Sequence, residues 1–245
     1  MTHPVALDRI RIVLTRTSHP GNIGAAARAL KTMGLKHLYL VQPTRFPHPE
    51  ADARSSGARD VLEQAVVVDS LDQALNGTVL SFALTARQRE LAVPPFSPRP
   101  AAAECIRHTA HGNVALVFGA ENSGLRNDEL ALCSMPVHIP ANPAYSSLNL
   151  AAAVQILSYE MRLAALEVAD ASPSAKQQGV PATFDEVEGF YDHLERAMIE
   201  SRFFDPSNPG RLMQRLRRLF GRVRLERDEV NILRGILSAL QRKPD

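Results

Sequence analysis

Short apolar runs alternate with helical stretches over about the first 165 residues of the chain. The runs read "IRIVLT" (10–15), "HLYLV" (37–41), "AVVV" (65–68), "TVLSFAL" (78–84), "NVALVF" (113–118) and "VHI" (137–139). Runs that are apolar on both faces and separated by helices are typical of buried parallel strands. The pattern therefore predicts an α/β fold, a parallel-sheet α/β sandwich of about six strands with helices on both faces.

Three segments at predicted strand ends combine glycines with polar side chains, and ligands of such sheets bind beyond the carboxyl ends of the strands. We call them the first motif, "TSHPGNIGAAARAL" (17–30), the second motif, "VFGAENSGLRNDEL" (117–130), and the third motif, "HIPANPAYSSLNLAAAVQIL" (138–157). In the second motif, Gly119 and Gly124 predict a close backbone approach and a tight turn. In the third, Ser146 and Ser147 are expected to cap a helix that begins near Leu148.

The chain changes character after the α/β region. Residues 170–182 are polar with two prolines and a glycine, which predicts a linker, and residues 183–245 repeat apolar positions at the spacing of three helices. Between Arg211 and Lys243, ten basic residues stand against three acidic ones. A one-signed excess of arginine suits phosphate and favours nucleic acid as a partner over an ordinary solvated helix face. The predicted division is a core (1–169), the linker and a basic helical extension.

Composition narrows the classes of protein that remain. A hydrophobic fraction of 45% and a charged fraction of 22% are ordinary for a globular chain. No apolar run approaches the roughly 20 residues of a membrane span, and the amino terminus lacks the order of a signal peptide, so a cytoplasmic protein without a membrane partner is expected. Cys105 and Cys133 are too few for a disulfide framework or a self-contained zinc site, so no metal is expected.

Taken together and in this order, "NIGAAAR" (22–28), "GAENSGL" (119–125) and "SSLN" (146–149) resemble the SPOUT superfamily of RNA methyltransferases. Within it, the chain is similar to the TrmJ group, the tRNA (cytidine(32)/uridine(32)-2'-O)-methyltransferases. "RLRRLF" and "NILRGIL" extend this similarity into the basic extension. The resemblance implies a C-terminal trefoil knot in the core, a homodimer, a tRNA substrate and S-adenosylmethionine as the cofactor.

The resemblance also implies roles for individual residues. The cofactor-binding set comprises Leu84, Thr85, Ala86, Gly119, Glu121, Ile139, Ser146, Ser147 and Leu148. The catalytic set comprises Arg28, Ser147, Asn149 and Asn22, with Asn22 holding the first motif in place. The residues expected to contact RNA phosphates are Arg87, Arg89, Arg215, Arg217 and Arg218.

A ribose 2'-hydroxyl attacks a methyl group only when its proton is removed or its developing charge is stabilised. A guanidinium stays protonated at any ordinary pH, so Arg28 is expected to grip a neighbouring phosphate rather than act as the base. Ser147 and Asn149 both remain candidates for orienting the hydroxyl or accepting its proton.

Two other classes stay open. A nicotinamide-dependent enzyme is favoured by fold analogy, although the glycine fingerprint is incomplete. A non-catalytic RNA-binding protein is favoured by Ala120, where relatives of the SPOUT type commonly carry arginine.

Overall fold

The structure is a computed structural model that describes residues 5–86, 94–170 and 179–242. The chain divides into two compact units, Met1–Ser174 and Ala175–Asp245. Arg87 and Arg89, which the sequence predicts as phosphate contacts, lie outside the described residues, as does most of the predicted linker. Within the described ranges, no helix is both long and apolar enough to cross a membrane.

A six-stranded, fully parallel sheet forms the centre of the first unit, as the apolar runs predict. Its strands are β1 (Ile10–Thr15), β2 (His37–Val41), β3 (Val66–Val68), β4 (Thr78–Leu84), β5 (Asn113–Phe118) and β6 (Met135–Val137). Their order across the sheet is β3-β2-β1-β5-β4-β6. Strands β1, β4 and β5 are buried almost throughout, because helices cover both faces of a parallel sheet.

The helices of this unit connect the strands and supply the other half of the core. A 3₁₀ turn (Val5–Arg9) precedes α1 (Pro20–Met33), α2 (Pro49–Ser55), α3 (Arg59–Glu63), α4 (Leu71–Leu75), α5 (Pro98–His108), α6 (Asn127–Leu132) and α7 (Leu150–Asp170). Gly34 ends α1 at φ +84°, a conformation that glycine adopts without strain. The α/β fold is confirmed, whereas the trefoil knot stays a prediction.

The predicted end of one strand and the predicted start of one helix are each wrong by about two residues. β6 ends at Val137 rather than at Ile139, because the neighbouring strand β4 ends at Leu84, which pairs with Val137. The helix of the third motif begins at Leu150 rather than near Leu148, because Asn149 caps it. The Oδ1 of Asn149 accepts from the main-chain N–H groups of α7 at 2.9 and 3.3 Å, so the two serines are not the caps.

The second unit consists of α8 (Phe184–Glu200), α9 (Leu212–Val223) and α10 (Arg227–Gln241) around a small core of its own. Phe190 packs edge to face on Phe220 with ring centroids 5.0 Å apart, and Tyr191 lies beside both. Thr183 and Glu186 form the capping box that their spacing predicts at the start of α8. The three helices expected from the apolar repeat are present.

Close packing of α1 on α2 depends on a glycine. A Cβ built on Gly24 would lie 2.9 Å from the carbonyl carbon of Ala51 and closer still to its oxygen, and backbone atoms cannot rotate away as a side chain can. Gly24 therefore lets the two helices approach, and it fixes the position of the first motif against α2.

We expect Gly24→Ala to destabilise the first unit by about 1–3 kcal/mol, the usual cost of overpacking a core. Gly221→Ala is the matched control, because Gly221 is also helical but has open space around its Cβ position. That substitution is expected to stabilise α9 by about 0.5–1 kcal/mol through helix propensity. Native-state hydrogen exchange of α1 and α9 measures both changes. Unaltered protection of α1 in Gly24→Ala would show that the helices can separate at no cost.

Candidate active site

Four neighbouring strands deliver the sequence motifs to one edge of the sheet. β1, β5, β4 and β6 are adjacent in that order and run parallel, so their carboxyl ends meet at the same edge. The first motif follows β1, the second contains the end of β5, and the third follows β6. The end of β4, which carries the predicted Leu84–Ala86 segment, lies between the second and third motifs.

A cavity of about 290 Å³ opens at this edge. Its lining residues come from the ends of β4, β5 and β6, from the second motif, from the loop between β6 and α7 and from the start of α7. They are Leu84, Thr85, Ala86, Phe118, Gly119, Ala120, Glu121, Asn122, Ser123, Gly124, Leu125, Val137, Ile139, Ser146, Ser147, Leu148, Leu150 and Ala153. All nine residues of the predicted cofactor set are among them. The structure therefore brings together residues that are more than 60 positions apart between Leu84 and Leu148.

The chemistry of the lining fits a nucleoside-containing cofactor. Leu84, Val137 and Ile139 offer an apolar wall for a flat base, while Ser146 and Ser147 contribute hydroxyls. In the second motif, Gly119, Ala120 and Gly124 line the cavity, and their small size leaves main-chain groups accessible to a ligand. These residues would hold S-adenosylmethionine chiefly through main chain and small side chains.

Gly119 is required by the chain itself. A Cβ at this position would overlap the backbone of Gly124 and Leu125, because the second motif folds back on itself through a bridge between Ala120 and Gly124. Gly124 has φ +69° at the turn. The predicted close approach and tight turn are therefore two sides of one feature, a compact loop that closes the cavity on the β5 side.

Glu121 connects the second motif to the first. Its carboxylate accepts hydrogen bonds from the main-chain N–H and the hydroxyl of Ser18, both at 3.0 Å, and from the Nδ2 of Asn22 at 2.9 Å. Burial raises the pKa of Glu121, but the donors at Ser18, Asn22 and His19 outweigh it and hold the pKa below the ordinary value of 4.5. The ionised form of Glu121 is the one that this arrangement favours.

Asn22 and Asn149 extend this connection to the third motif. The Nδ2 of Asn149 donates to the Oδ1 of Asn22 at 3.0 Å. Each amide has only one possible orientation here, because a carboxylate only accepts and Asn22 must therefore turn its Nδ2 toward Glu121. Asn149 must then turn its Nδ2 toward Asn22, which leaves its Oδ1 to cap α7. We call this series, Glu121, Asn22, Asn149 and the first turn of α7, the amide relay.

Sequence reasoning missed a buried ion pair behind the second motif. Arg16 pairs with Glu129, whose exposed fraction is 3%, and the second carboxylate oxygen of Glu129 accepts from the main-chain N–H of Arg126 at 2.7 Å. The other guanidinium nitrogen of Arg16 donates to the carbonyl of Gly124 at 3.3 Å. The only signal in the sequence is the capping spacing of Arg126 and Glu129. It does not reveal the distant partner.

His138 was also missed. Its Nδ1 lies 3.0 Å from the carbonyl oxygen of Thr85, and since a carbonyl only accepts, Nδ1 must carry the proton. The N–H of Thr85 donates to the carbonyl of Val137 at 2.9 Å. Both sides of the Thr85 residue are thus fixed against the end of β6, which shapes the Leu84–Ala86 wall of the cavity.

The predicted catalytic residues are only partly assembled within one chain. Ser147 lines the cavity, and Asn22 and Asn149 adjoin it through the amide relay. Arg28 is exposed on α1 and is not among the lining residues. Among the described residues, no group of three or more His, Cys, Asp or Glu side chains could hold a metal. Burial raises the pKa of the Cys133 thiol to about 12, so this group stays protonated at neutral pH.

Replacing Glu121 by glutamine tests the amide relay through its pH dependence. Because the folded pKa lies below the unfolded one, the ionised carboxylate contributes its full stabilisation above pH 4.5, and that contribution is lost as the pH falls through the folded value. We expect Glu121→Gln to unfold at a lower temperature at neutral pH and to lose less stability on acidification than the intact protein.

Thermal unfolding from neutral pH downwards measures both effects. Glu63→Gln is the control, because Glu63 forms an exposed pair with Arg59 and should change neither result. Identical pH profiles for Glu121→Gln and the intact protein would contradict the role of the charge.

Comparisons with known proteins agree with this geometry. Residues 9–159 match the SpoU rRNA Methylase family, and residues 185–245 match the tRNA methyltransferase TrmJ, C-terminal domain. The tRNA (cytidine/uridine/adenosine-2'-O-)-methyltransferase TrmJ of Pseudomonas aeruginosa (strain UCBPP-PA14) is 51% identical over 96% of this chain and 95% of that protein. The tRNA (cytidine/uridine-2'-O-)-methyltransferase TrmJ of Pectobacterium atrosepticum is 50% identical over 98% and 99%.

A solved structure has the same fold over nearly the whole chain. The crystal structure of TrmJ from Z. mobilis ZM4 aligns with a TM-score of 0.83 and 33% identity, covering 95% of this chain and 99% of that one. The cavity at the sheet edge, the three motifs around it and these matches lead to one conclusion. The chain belongs to the SpoU methylase family and carries the C-terminal domain of its TrmJ members.

Proposed function

We propose that this protein transfers the methyl group of S-adenosylmethionine to the 2'-hydroxyl of a cytidine or uridine in tRNA, at position 32 of the anticodon loop, in the cytoplasm. The observation that carries the proposal is that all nine predicted cofactor residues line one cavity. The relatives named above support the choice of tRNA, and their names include cytidine and uridine.

When bound, the cofactor supplies an electrophilic methyl group on a sulfonium. The chain's own residues must then bring the ribose hydroxyl into line and stabilise its developing charge. Ser147 lies on the cavity wall and presents a hydroxyl that can orient the nucleophile. Asn149 is less suited to accept a proton, since its Oδ1 already accepts from Ala151 and Ala152. We assign Asn149 and Asn22 to positioning the third and first motifs.

We further propose that Arg28 acts at the cavity of a second copy of the chain in a homodimer. Its guanidinium is exposed and lies outside the lining of its own cavity. A protonated guanidinium can hold a phosphate beside the reacting ribose and favour ionisation of its 2'-hydroxyl. A site completed across a dimer interface would account for the exposure of a residue that the family resemblance makes catalytic.

For the extension, residues 183–245, we propose that one face of α9 binds tRNA phosphates. Arg215 and Arg218 share this face with Arg211 and Arg222; at 100° per residue the four lie within about 60° of one another. All four are exposed, and within the described residues none of their side chains has a carboxylate or carbonyl partner. Such a stripe suits a phosphate backbone.

Arg217 does not belong to this face, although the sequence predicts it as an RNA contact. It makes two hydrogen bonds to the Glu188 carboxylate, the longer at 2.7 Å, and its guanidinium lies 4.5 Å from the centre of the Tyr191 ring. These contacts join α9 to α8. We therefore assign Arg217 to the stability of the helical unit and keep Arg215 and Arg218 as RNA contacts.

Two measurements test the proposed reaction. Isothermal titration should detect binding of S-adenosylmethionine and no heat from NAD, and the reverse result would favour the nicotinamide-dependent alternative. Methyl transfer to bulk tRNA, mapped by 2'-O-methyl-sensitive sequencing, should mark a pyrimidine at position 32. Cofactor binding without any methyl transfer would instead support a non-catalytic RNA-binding protein.

Arg28→Ala is expected to lower kcat for methyl transfer by at least about 100-fold, the scale of losing one group that stabilises transition-state charge. Its affinity for S-adenosylmethionine should stay within a few fold, because Arg28 lies outside the cavity lining. Arg28→Lys should also fail, since an ammonium cannot make a two-pronged contact with phosphate. A large loss of cofactor affinity would make the role structural.

Mixing two inactive variants tests the dimer separately. Gly119→Ala should disrupt the cavity, because its Cβ overlaps the second motif. Mixed dimers with Arg28→Ala contain one intact composite site and should regain activity. Sedimentation of a fully active monomer would exclude this arrangement.

Arg215→Gln combined with Arg218→Gln should weaken tRNA binding and flatten the slope of log affinity against log salt by about 1.8 if both contact duplex phosphates. Arg196→Gln is the control, because Arg196 is exposed on α8 and donates to a carbonyl of its own helix. Thermal unfolding should be unchanged in both proteins, whereas Arg217→Gln should lower the unfolding temperature. An unchanged salt slope in the double variant would make α9 an assembly element.

A further inference from the structure

Most described cations of the first unit are engaged by partners in the protein. Six of them pair with carboxylates, namely Lys31, Lys36, Arg59, Arg99, Arg107 and Arg126, and the half-buried Arg16 pairs with the buried Glu129. Arg9, Arg11 and Arg162 donate to main-chain carbonyls. Three guanidinium groups within residues 5–86 and 94–170 have neither kind of partner, namely those of Arg28, Arg45 and Arg54, and all three are exposed.

Arg45 and Arg54 border the first motif from two directions. The Cγ of Arg54, on α2, lies 3.5 Å from a Cβ built on Gly21, so its stem passes over the first turn of α1. Arg45 follows β2, and the N–H of the preceding Thr44 donates to the carbonyl of Thr17 at 3.0 Å. Both arginines therefore lie beside the motif that also contains Arg28.

The carboxylates near Arg45 and Arg54 either contact other residues or lie on a different side of α2. Glu121 is bound by Ser18 and Asn22. Asp52 is exposed two residues before Arg54, a spacing that puts the two side chains on different sides of a helix. Glu50 is one helical turn before Arg54, but its Oε1 lies 3.5 Å from the Nδ1 of His19. Among the described residues no carboxylate forms an ion pair or a hydrogen bond with Arg45 or Arg54, so their donors remain available to an external anion.

We propose that Arg45 and Arg54 bind phosphates of the tRNA strand that approaches the first motif, an RNA contact on the catalytic unit distinct from the α9 face. The proposal rests on the proposed function. Guanidinium forks suit phosphate oxygens, and arginines that keep all their donors free need not break an ion pair in order to bind. We call these two residues the α2 basic pair.

The test uses the full-length protein with Arg45→Gln, Arg54→Gln and both changes together. Arg59→Gln is the matched control, because it removes an equal charge from the neighbouring α3, where Arg59 is paired with Glu63. We expect the double variant to raise KM for tRNA about tenfold and to flatten the salt dependence of tRNA binding by about 1.4, or 0.7 for each single-stranded phosphate contact. Its kcat at saturating tRNA and its affinity for S-adenosylmethionine should equal those of the control.

Each other outcome has one meaning. A KM and salt slope equal to those of Arg59→Gln overturn the proposal, and so does a raised KM with an unchanged slope, because phosphate binding must release ions. Arg45→Lys with Arg54→Lys should recover most of the slope, which loss through misfolding would not allow. Failure of the intact protein to methylate tRNA sinks the proposed function instead, and tRNA binding by the variants still decides the role of the α2 basic pair.

Discussion

The ionised carboxylate of Glu121 is the interaction on which the rest of the site depends. It collects the donors of Ser18 and Asn22, and through the amide relay it determines which way Asn149 faces. One charge thereby connects three segments, of which the first is 99 positions from Glu121 and 127 positions from Asn149. Without it Ser18 and Asn22 would lose the acceptor that holds the first motif to the second, and the amide of Asn22 would lose the partner that fixes its orientation.

The parallel sheet makes this connection possible. Because β1, β5, β4 and β6 are neighbours, loops from distant parts of the chain end at one edge. Two of the glycines in these motifs are explained by backbone packing. Gly24 admits α2, and Gly119 admits the returning backbone of its own loop, so both glycines serve the packing of main chain against main chain.

The sequence predicts the fold well because apolar periodicity is a local property. Five of the six strand positions, the three C-terminal helices and the Thr183–Glu186 capping box follow from spacing along the chain. The order of strands, and with it the meeting of the motifs, does not follow from spacing; here the family resemblance supplied the cofactor residues. The cap at Asn149 was misassigned because three residues of similar capping preference occur within four positions, and only a tertiary partner, Asn22, distinguishes them.

Long-range polar contacts explain what sequence reasoning missed. Arg16 and Glu129 are 113 positions apart, and neither residue's neighbours mark it as one half of a buried pair. Proximity in sequence groups Arg217 with Arg215 and Arg218. One residue along a helix is a rotation of about 100°, which turns Arg217 toward Tyr191 and leaves its neighbours in solvent.

The proton on the Nδ1 of His138 has a consequence for how the cavity responds to acid. That nitrogen carries hydrogen in the neutral ring bonded to Thr85 and also in the charged ring, so the bond to the carbonyl survives either state. The Glu121 side of the cavity is held by a negative charge and has no such tolerance. Protonation of Glu121 therefore weakens the hydrogen bonds that join the first and second motifs, whereas the bond from His138 to Thr85 keeps its donor, so the two walls of the cavity respond differently to acid.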